Sequence, residues 1–206
     1  MPQVLKPEIR ARILSAGLEV FAAQGYLGAT MNAIAEQAGL GAASLYRYFP
    51  SKAELFEAAI TPELAARFEQ LLERRVHALA EPSRSAAFEP SSDYGAEMLE
   101  FWLEHRLAVV VLLDRAQGSA YEHYGERFVA LLLKSTIERI RASGPHVQIT
   151  GPARFVLTRI FENTRSTLAS ILVHSDNPRV LREAIQAFWS YQIPGLHGFA
   201  RWLREE

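Results

Sequence analysis

The segment from Ala29 to Phe56 constrains the fold more than any other part of the chain. Thr30 can cap a helix that begins at Met31, because its hydroxyl can accept a hydrogen bond from an unpaired backbone N–H. Gly39 stands where that helix should end, since glycine adopts the left-handed backbone conformation at little cost. The segment therefore predicts a short helix whose start and stop are both encoded locally.

A second short helix is predicted over about residues 42–48. Leu45 and Phe49 share one face of this helix and should point inward, which leaves the opposite face to solvent. Pro50 ends the helix, because a proline disfavours helical geometry in the residue before it.

A third helix is predicted to begin just after Pro50, where Ser51 and Glu54 have the spacing of a capping box. An amphipathic helix over residues 7–24 precedes all three, and Gly25 is expected to end it. Two short helices joined by a tight turn are typical of a helix-turn-helix, which places its second helix in the major groove of DNA.

This stretch resembles the DNA-binding domain of the tetracycline-repressor (TetR) family. The resemblance covers residues 6 to about 58, and the matching residues are Thr30, Ile34, Ala35, Ala38, Gly39, Leu45, Tyr46, Phe49, Ser51 and Lys52. Such a resemblance implies a homodimeric transcription factor, in most cases a repressor. It also implies C-terminal helices that bind a small molecule and release the DNA.

The chain departs from the family pattern at two positions. Gly41 stands where the family usually has Ser or Thr as the cap of the recognition helix. Tyr48 stands where His is common, and a phenol can still donate a hydrogen bond to a phosphate.

The resemblance implies that the start of the helix over residues 42–48 points into the major groove. Two alanine methyl groups there can contact a thymine methyl, and Arg47 can reach a guanine edge or a phosphate. The expected DNA-binding residues are Thr30, Gly41, Ala42, Ala43, Ser44, Tyr46, Arg47, Tyr48 and Lys52. The alternative is that the exposed tyrosines and arginine simply cover a helix end.

Composition sets further limits. The chain has 206 residues, of which 49% are hydrophobic, so it can form a sizeable core. It has no cysteine, which excludes disulfides and thiolate metal sites. The absence of a long apolar run and of a signal-like N-terminus predicts a cytoplasmic protein without membrane contact. The net charge is −1, with +2 in residues 1–52, so charge alone does not argue for DNA binding.

The remainder of the chain is predicted to be helical. The fold class expected is all-α, with an N-terminal helix-turn-helix domain over residues 1–52 and a C-terminal helical bundle over residues 53–206, about nine helices in total. The later helices are predicted at about residues 51–79, 93–116, 121–143, 152–173 and 178–203, with a break near His105 in the helix over residues 93–116. Pro62 should kink or split the first of these. Residues 82–92 are expected to form a loop.

The last two predicted helices are expected to form the dimer interface as a four-helix bundle across a two-fold axis. The final helix has an apolar stripe at helical spacing, formed by Leu181, Ile185, Phe188, Leu196, Phe199 and Leu203 and widened by Trp189 and Ile193. The dimer follows mostly from the resemblance. The alternative is a terminal helix that packs only on its own subunit.

A cavity for a small-molecule effector needs mostly apolar walls with a few convergent polar groups. The residues expected to supply it are Phe101, Trp102, His105, Arg106, Tyr121, Tyr124, Phe128, Phe155, Arg159 and Asn163. The alternative is that these aromatics are core, that the charged groups pair with one another, and that Asn163 lies at the dimer seam.

The function expected is a dimeric, ligand-responsive transcriptional regulator, most often a repressor, that binds a palindromic DNA operator. An activator and a helical adaptor that binds a protein partner are the alternatives. Six scattered histidines and the lack of recognisable catalytic motifs disfavour an enzyme, and no cofactor or metal is expected.

Overall fold

The structure is a computed structural model that describes residues 6–80, 93–142 and 148–205. All regular elements in these ranges are helical, which confirms the predicted all-α class. The α-helices are α1 (Pro7–Gly28), α2 (Met31–Gln37), α3 (Ala42–Tyr48), α4 (Lys52–Ala59), α5 (Pro62–Ala80), α6 (Asp93–Glu104), α7 (Arg106–Val110), α8 (Tyr124–Ala142), α9 (Gly151–His174) and α10 (Pro178–Glu205). A π-helical turn (Val111–Arg115) follows α7. None of the described helices is long and apolar enough to cross a membrane.

Two predicted helices are divided in the structure. The predicted helix 51–79 is split, because Ile60 leaves helical geometry with φ −123° and ψ 87° and Pro62 opens a new helix. Proline suits a first helical turn, where its missing N–H would be unpaired anyway. The predicted helix 93–116 is interrupted at His105, between α6 and α7. The predicted loop over residues 82–92 lies outside the described residues.

Gly25 interrupts α1 but does not end the helical backbone. The residue has φ 71° and ψ 163°, and the chain turns once more before Ala29 donates its N–H to the Gly25 carbonyl over 3.0 Å. The predicted break of the first helix at Gly25 is therefore confirmed, and one further helical turn follows it. The positive φ is the reason that glycine occupies this break.

The chain packs into two compact units. Unit 1 comprises residues up to Arg67 together with Leu107–Tyr124, and unit 2 comprises Phe68–Arg106 together with residues from Gly125 onward. The units are defined by packing, so the predicted functional division into residues 1–52 and 53–206 stays a prediction.

An aromatic cluster lies at the centre of unit 1. The rings of Phe21 and Phe56 meet edge to face at 5.0 Å, and Tyr26 meets Phe56 in the same way at 4.8 Å. A Cβ on Gly17 would lie 2.5 Å from Leu55 Cδ2, so glycine allows α1 and α4 to pack closely. These contacts stabilise the packing of α1 against α4.

Unit 2 is built from most of α5 with α6, α8, α9 and α10. The ring of Phe68 lies 5.7 Å from that of Phe101 and 6.1 Å from that of Phe128. On the surface, Arg182 of α10 binds Glu100 of α6 through both of its terminal nitrogens, at 2.6 Å and 2.8 Å. Because both side chains are largely exposed, this pair contributes little more than about 1 kcal/mol to stability.

Candidate nucleic-acid interface and ligand cavity

Local hydrogen bonds form the turn between α2 and α3. Thr30 Oγ1 accepts from the N–H of Ala33 at 3.1 Å, which confirms the predicted cap. At the other end Gly39 has φ 63°, and its N–H donates to the Glu36 carbonyl at 2.9 Å. The N–H of Leu40 donates to the Ala35 carbonyl, also at 2.9 Å, and the two hydrogen bonds together form a Schellman motif. The predicted stop at Gly39 is therefore confirmed.

Helix α3 buries one face and exposes the other, as predicted. Leu45 is fully buried and Phe49 is 4% exposed, so the two residues anchor the helix in unit 1. On the opposite face Tyr46 is 48% exposed, and Arg47 donates from Nη2 to Ser44 Oγ at 3.0 Å. The outward face thus carries a phenol and a guanidinium, the two groups expected to contact DNA.

The start of α3 has no side-chain cap. Gly41 occupies the N-cap position with φ −74° and ψ 146°, a conformation open to any residue. No heavy atom lies within 4 Å of a Cβ added to Gly41, so the position has room for a side chain. Ala43 next to it is exposed and Ala42 is half-buried. The tip of α3 is therefore small and apolar.

The end of α3 lies beside the start of α1. The backbone N–H of Lys6 donates to the Tyr48 hydroxyl at 3.1 Å, and the Arg10 guanidinium carbon lies 5.2 Å from the centre of the Phe49 ring. The Tyr48 hydroxyl accepts this hydrogen bond and keeps its own hydrogen as a donor. Lys6, the N-cap of α1, and Arg10 of α1 therefore lie beside the C-terminal end of α3.

Lys52 makes contacts that the sequence did not indicate. Its Nζ donates to the carbonyls of Tyr26 and Ala29 at 2.6 Å and 2.9 Å and lies 4.4 Å from the centre of the Tyr26 ring. Two of its three N–H groups therefore bind backbone carbonyls at the junction between α1 and α2. Its expected phosphate contact stays a prediction.

The capping box before α4 is only half formed. Ser51 Oγ accepts from the Glu54 N–H at 3.2 Å, as predicted. The Glu54 carboxylate accepts from the Ser51 hydroxyl at 3.1 Å instead of from its backbone N–H. The cap itself is confirmed, and the reciprocal bond is replaced by a side-chain contact.

Unit 2 contains a cavity of about 310 Å³. Its wall is mostly apolar and comes from α5, α6, α8, α9 and α10. One part is aromatic, where the rings of Trp102 and Trp189 lie 6.0 Å apart. The size and the apolar lining are typical of small-molecule sites.

The polar groups of the cavity come mainly from α8 and α10. Gln192 Nε2 donates to Thr164 Oγ1 at 2.7 Å, and that hydroxyl donates to the Ile160 carbonyl at 2.9 Å, so both side chains are held in place. Arg139 and His197 also line the wall. Burial and the positive charge of Arg139 lower the pKa of His197 below its ordinary value of 6.5. Both effects favour the neutral imidazole.

One polar atom in the cavity wall is unsatisfied. Trp102 is 4% exposed, and its indole Nε1 has no hydrogen-bond acceptor among the described residues. A buried indole N–H normally finds a partner, and an unpaired one costs about 1–3 kcal/mol.

The structure brings only two of the ten predicted ligand residues to this cavity, Trp102 and Phe128. The other eight lie elsewhere. The rings of Phe101 and His105 contact each other in a tilted arrangement with their centres 4.7 Å apart, and Arg106 donates to the Leu172 carbonyl at 3.0 Å.

Two further members of the predicted set belong to unit 1, where Tyr121 contacts Phe56 and the Tyr124 hydroxyl donates to the Ala65 carbonyl at 3.1 Å. Three more lie on the exposed face of α9: Phe155, Arg159 and Asn163. The sequence missed Arg139, Gln192 and His197, although Arg139 shares a helical face with Phe128 and that spacing was a usable signal.

The outward faces of α9 and α10 are unusually apolar. Most of the exposed large hydrophobic residues of the described chain lie there: Phe155, Val156, Val173, Val180, Tyr191 and Trp202. The stripe predicted for dimer contact points elsewhere. Leu181, Ile185 and Leu203 are at most 6% exposed within their own chain, and Phe188 and Leu196 line the cavity. For Leu181, Ile185 and Leu203 the prediction of a dimer contact is wrong, since these three residues lie in the core of unit 2.

Comparison with known proteins identifies the first unit. The sequence profile described as "Bacterial regulatory proteins, tetR family" matches residues 13–59. The HTH-type transcriptional repressor KstR of Mycolicibacterium smegmatis is 45% identical over 56 residues, which is 27% of this chain and 28% of KstR. The match therefore spans little more than a quarter of that relative's length.

Two further comparisons reach beyond the helix-turn-helix. The HTH-type transcriptional regulator TtgW of Pseudomonas putida is 33% identical over 103 residues, 45% of this chain and 72% of TtgW. The crystal structure of a TetR-like transcriptional regulator from a Rhodococcus species has a TM-score of 0.50 at 23% identity and covers 96% of both chains, which supports the same fold. On this similarity, and on the turn geometry at Gly39, the chain belongs to the TetR family of bacterial regulatory proteins.

Proposed function

We propose that this protein is a homodimeric transcriptional repressor that binds a palindromic DNA operator and releases it when a small molecule binds. The observation that carries the proposal is the Schellman turn at Gly39, which presents the exposed face of α3 with Tyr46 and Arg47. The family relationship favours the same function, since the relative KstR is named a repressor.

The exposed face of α3 supports DNA recognition by shape as well as by direct contact. The tip at Ala42 and Ala43 offers methyl groups for thymine and no hydrogen bonds to bases. Arg47 is the long donor on this face, and Tyr46 and Tyr48 offer hydroxyls for phosphates. Part of the sequence preference therefore comes from the deformability of the DNA.

Dimerisation through α9 and α10 follows from their outward faces. At helical spacing, Tyr191 shares its face with Val180, Gly198 and Trp202, so aromatic side chains alternate with small ones. Small residues let two helices approach closely, and exposed aromatic groups supply apolar area. Such a self-complementary surface suits a two-fold interface.

Ligand release requires that the effector prefers a conformation in which the two α3 helices no longer match the operator. The cavity is suited to this role because α9 and α10, the proposed dimer helices, form part of its wall. Helix α5 also contributes Leu72 to the wall, and its first turn belongs to unit 1. A coupling of about 1–3 kcal/mol would change operator affinity by roughly 5–150-fold.

The test is selection of binding sites from random double-stranded DNA with the purified protein, together with its mass in solution by light scattering. The proposal expects an enriched inverted repeat and a dimer. Selection that enriches no sequence, or a monomer at micromolar concentration, would contradict it. An activator would pass this test but would raise reporter output where a repressor lowers it.

A further inference from the structure

One carboxamide in the wall of the unit 2 cavity has a defined orientation. The Thr164 hydroxyl donates its single hydrogen to the Ile160 carbonyl at 2.9 Å, so its oxygen is left as an acceptor. Gln192 meets that oxygen at 2.7 Å with Nε2, which donates. The opposite orientation of the amide would lose one of the two hydrogen bonds, because the hydroxyl has no second hydrogen. The carboxamide oxygen of Gln192, Oε1, is therefore directed away from Thr164.

Gln192 Oε1 has no hydrogen-bond donor among the described residues. The side chain lines the cavity and is half-buried. A sheltered carbonyl oxygen without a donor is unfavourable, and a bound molecule that supplies a hydrogen removes this cost. The position thus favours a hydroxyl group over an ether, a ketone or a carboxylate, which have no hydrogen to donate.

Aromatic rings lie close to this carboxamide. Trp189 precedes Gln192 by three residues, so the two side chains are neighbours on one face of α10. The Trp189 ring lies 6.0 Å from that of Trp102, and Phe161 lines the same cavity one helical turn before Thr164. Apolar rings pack favourably against such aromatic faces. Gln192, Thr164, Trp102 and Trp189 together form what we call the Gln192 corner.

The Gln192 corner offers no ion-pair partner to a charged ligand. No Asp or Glu of the described residues lines the cavity, so no carboxylate in the wall pairs with a cation. Arg204 lines it twelve residues beyond Gln192, about 18 Å of helix, and is exposed, so water and salt screen its charge. The charge of Arg139 acts on His197, which also lies beyond Gln192 on α10. A charged group placed at this corner would therefore lose its hydration without compensation.

We infer that the cavity binds an uncharged molecule that carries a hydroxyl group on an apolar ring. The hydroxyl donates to Gln192 Oε1, and the ring packs against Trp189. This inference names the class of effector and rests on the proposed role of the cavity in releasing DNA.

The experiment compares four probes that share one propyl-substituted benzene ring: 4-propylphenol, 4-propylanisole, 4-propylbenzoate and 4-propylbenzylammonium. Binding to the full-length protein without DNA is measured by isothermal titration calorimetry. The phenol should bind about fivefold more tightly than its methyl ether, which is the effect of one neutral hydrogen bond. The two charged probes should bind most weakly. An ether that binds as tightly as the phenol, a charged probe that binds best, or a phenol that does not bind would overturn the inference.

A substitution then assigns the hydroxyl contact. Gln192→Leu should weaken binding of 4-propylphenol by about fivefold and leave 4-propylanisole as before, because leucine has no acceptor oxygen. Gln186→Leu is the matched control, since Gln186 is exposed on the same helix and does not line the cavity. If Gln192→Leu fails to fold in a thermal melt, Gln192→Met serves instead. A preference for the phenol that persists in the variant would come from the size of the ether methyl group and would contradict the assignment.

A gel shift with the selected operator separates this inference from the proposed function. If 4-propylphenol binds with the expected preference but leaves operator affinity unchanged, the ligand class is supported and the effector role is contradicted. Operator release by the phenol and the ether at equal concentrations would support the effector role and overturn the ligand class.

Discussion

Lys52 Nζ donates to the carbonyl of Tyr26 over 2.6 Å and lies 4.4 Å from the centre of the same residue's ring. One ammonium therefore satisfies a backbone acceptor near the end of α1 and contacts an aromatic face of the unit 1 core. The contact joins the start of α4 to the helix that supports the turn. Lys52 thus has a structural role in addition to any contact with a DNA phosphate.

Replacing Lys52 with Met should lower the free energy of unfolding by about 1–3 kcal/mol, because two carbonyls lose a charged donor. Urea unfolding measures the change. Lys134→Met, on the exposed face of α8, is the control and should stay within about 0.5 kcal/mol of the unsubstituted protein. A Lys52→Met protein as stable as the control would contradict the structural role.

Arg47→Ala should weaken operator binding without loss of stability, since Arg47 is exposed on α3. Gel shifts over a salt series distinguish its two expected contacts. A phosphate contact lowers the salt slope by about 1, whereas a guanine contact costs about 1–3 kcal/mol and relaxes the preference at one base pair. Arg141→Ala serves as the control, and equal affinities for the two variants would count against the DNA contact.

Gly39→Ala should destabilise the protein by about 1–2 kcal/mol, because φ is 63° at this residue and an L-side chain is strained there. Gly41→Ala is a matched control two residues away: its φ is −74° and an added Cβ meets no atom within 4 Å. Thermal melts of the two variants provide the measurement. Equal effects would mean that the turn is not held in the left-handed conformation.

His197 should make stability depend on pH below 6.5. Its pKa is lowered in the folded protein by burial and by Arg139, so the unfolded chain binds the proton more readily. The stability linked to this group is therefore complete above pH 6.5 and is lost as the pH falls through the lowered pKa. His197→Ala should flatten this part of the profile in urea titrations, and a profile unchanged by the substitution would contradict the linkage.

Tyr191→Asp should convert the dimer into a monomer, because Tyr191 is 78% exposed on the proposed interface and a buried, unpaired carboxylate is strongly unfavourable. Light scattering gives the mass. Ala130→Asp, on the exposed face of α8, provides the same charge change away from α9 and α10 and should remain dimeric. A dimeric Tyr191→Asp protein would place the interface elsewhere.

The residues predicted to bind a ligand show where sequence reasoning was limited. Aromatic and polar residues in α6, α8 and α9 were expected to line a ligand cavity, and of these Trp102 and Phe128 line the cavity of unit 2. Composition does not determine which face of each helix is turned toward the cavity. Asn163 and Phe155 are therefore exposed to solvent although they lie on the same helix as the cavity residue Thr164. A turn of about 100° per residue separates neighbours in a helix.

The sequence by itself determined the all-α class, the cap at Thr30, the left-handed stop at Gly39 and the inward anchor Leu45. Each of these depends on contacts within a few residues, so local propensity and hydrogen bonding suffice. Only the tertiary structure decided that Lys52 binds Tyr26, and that Arg139 lies beside His197. Those pairs join helices far apart in the chain, and their meeting depends on how whole helix faces pack.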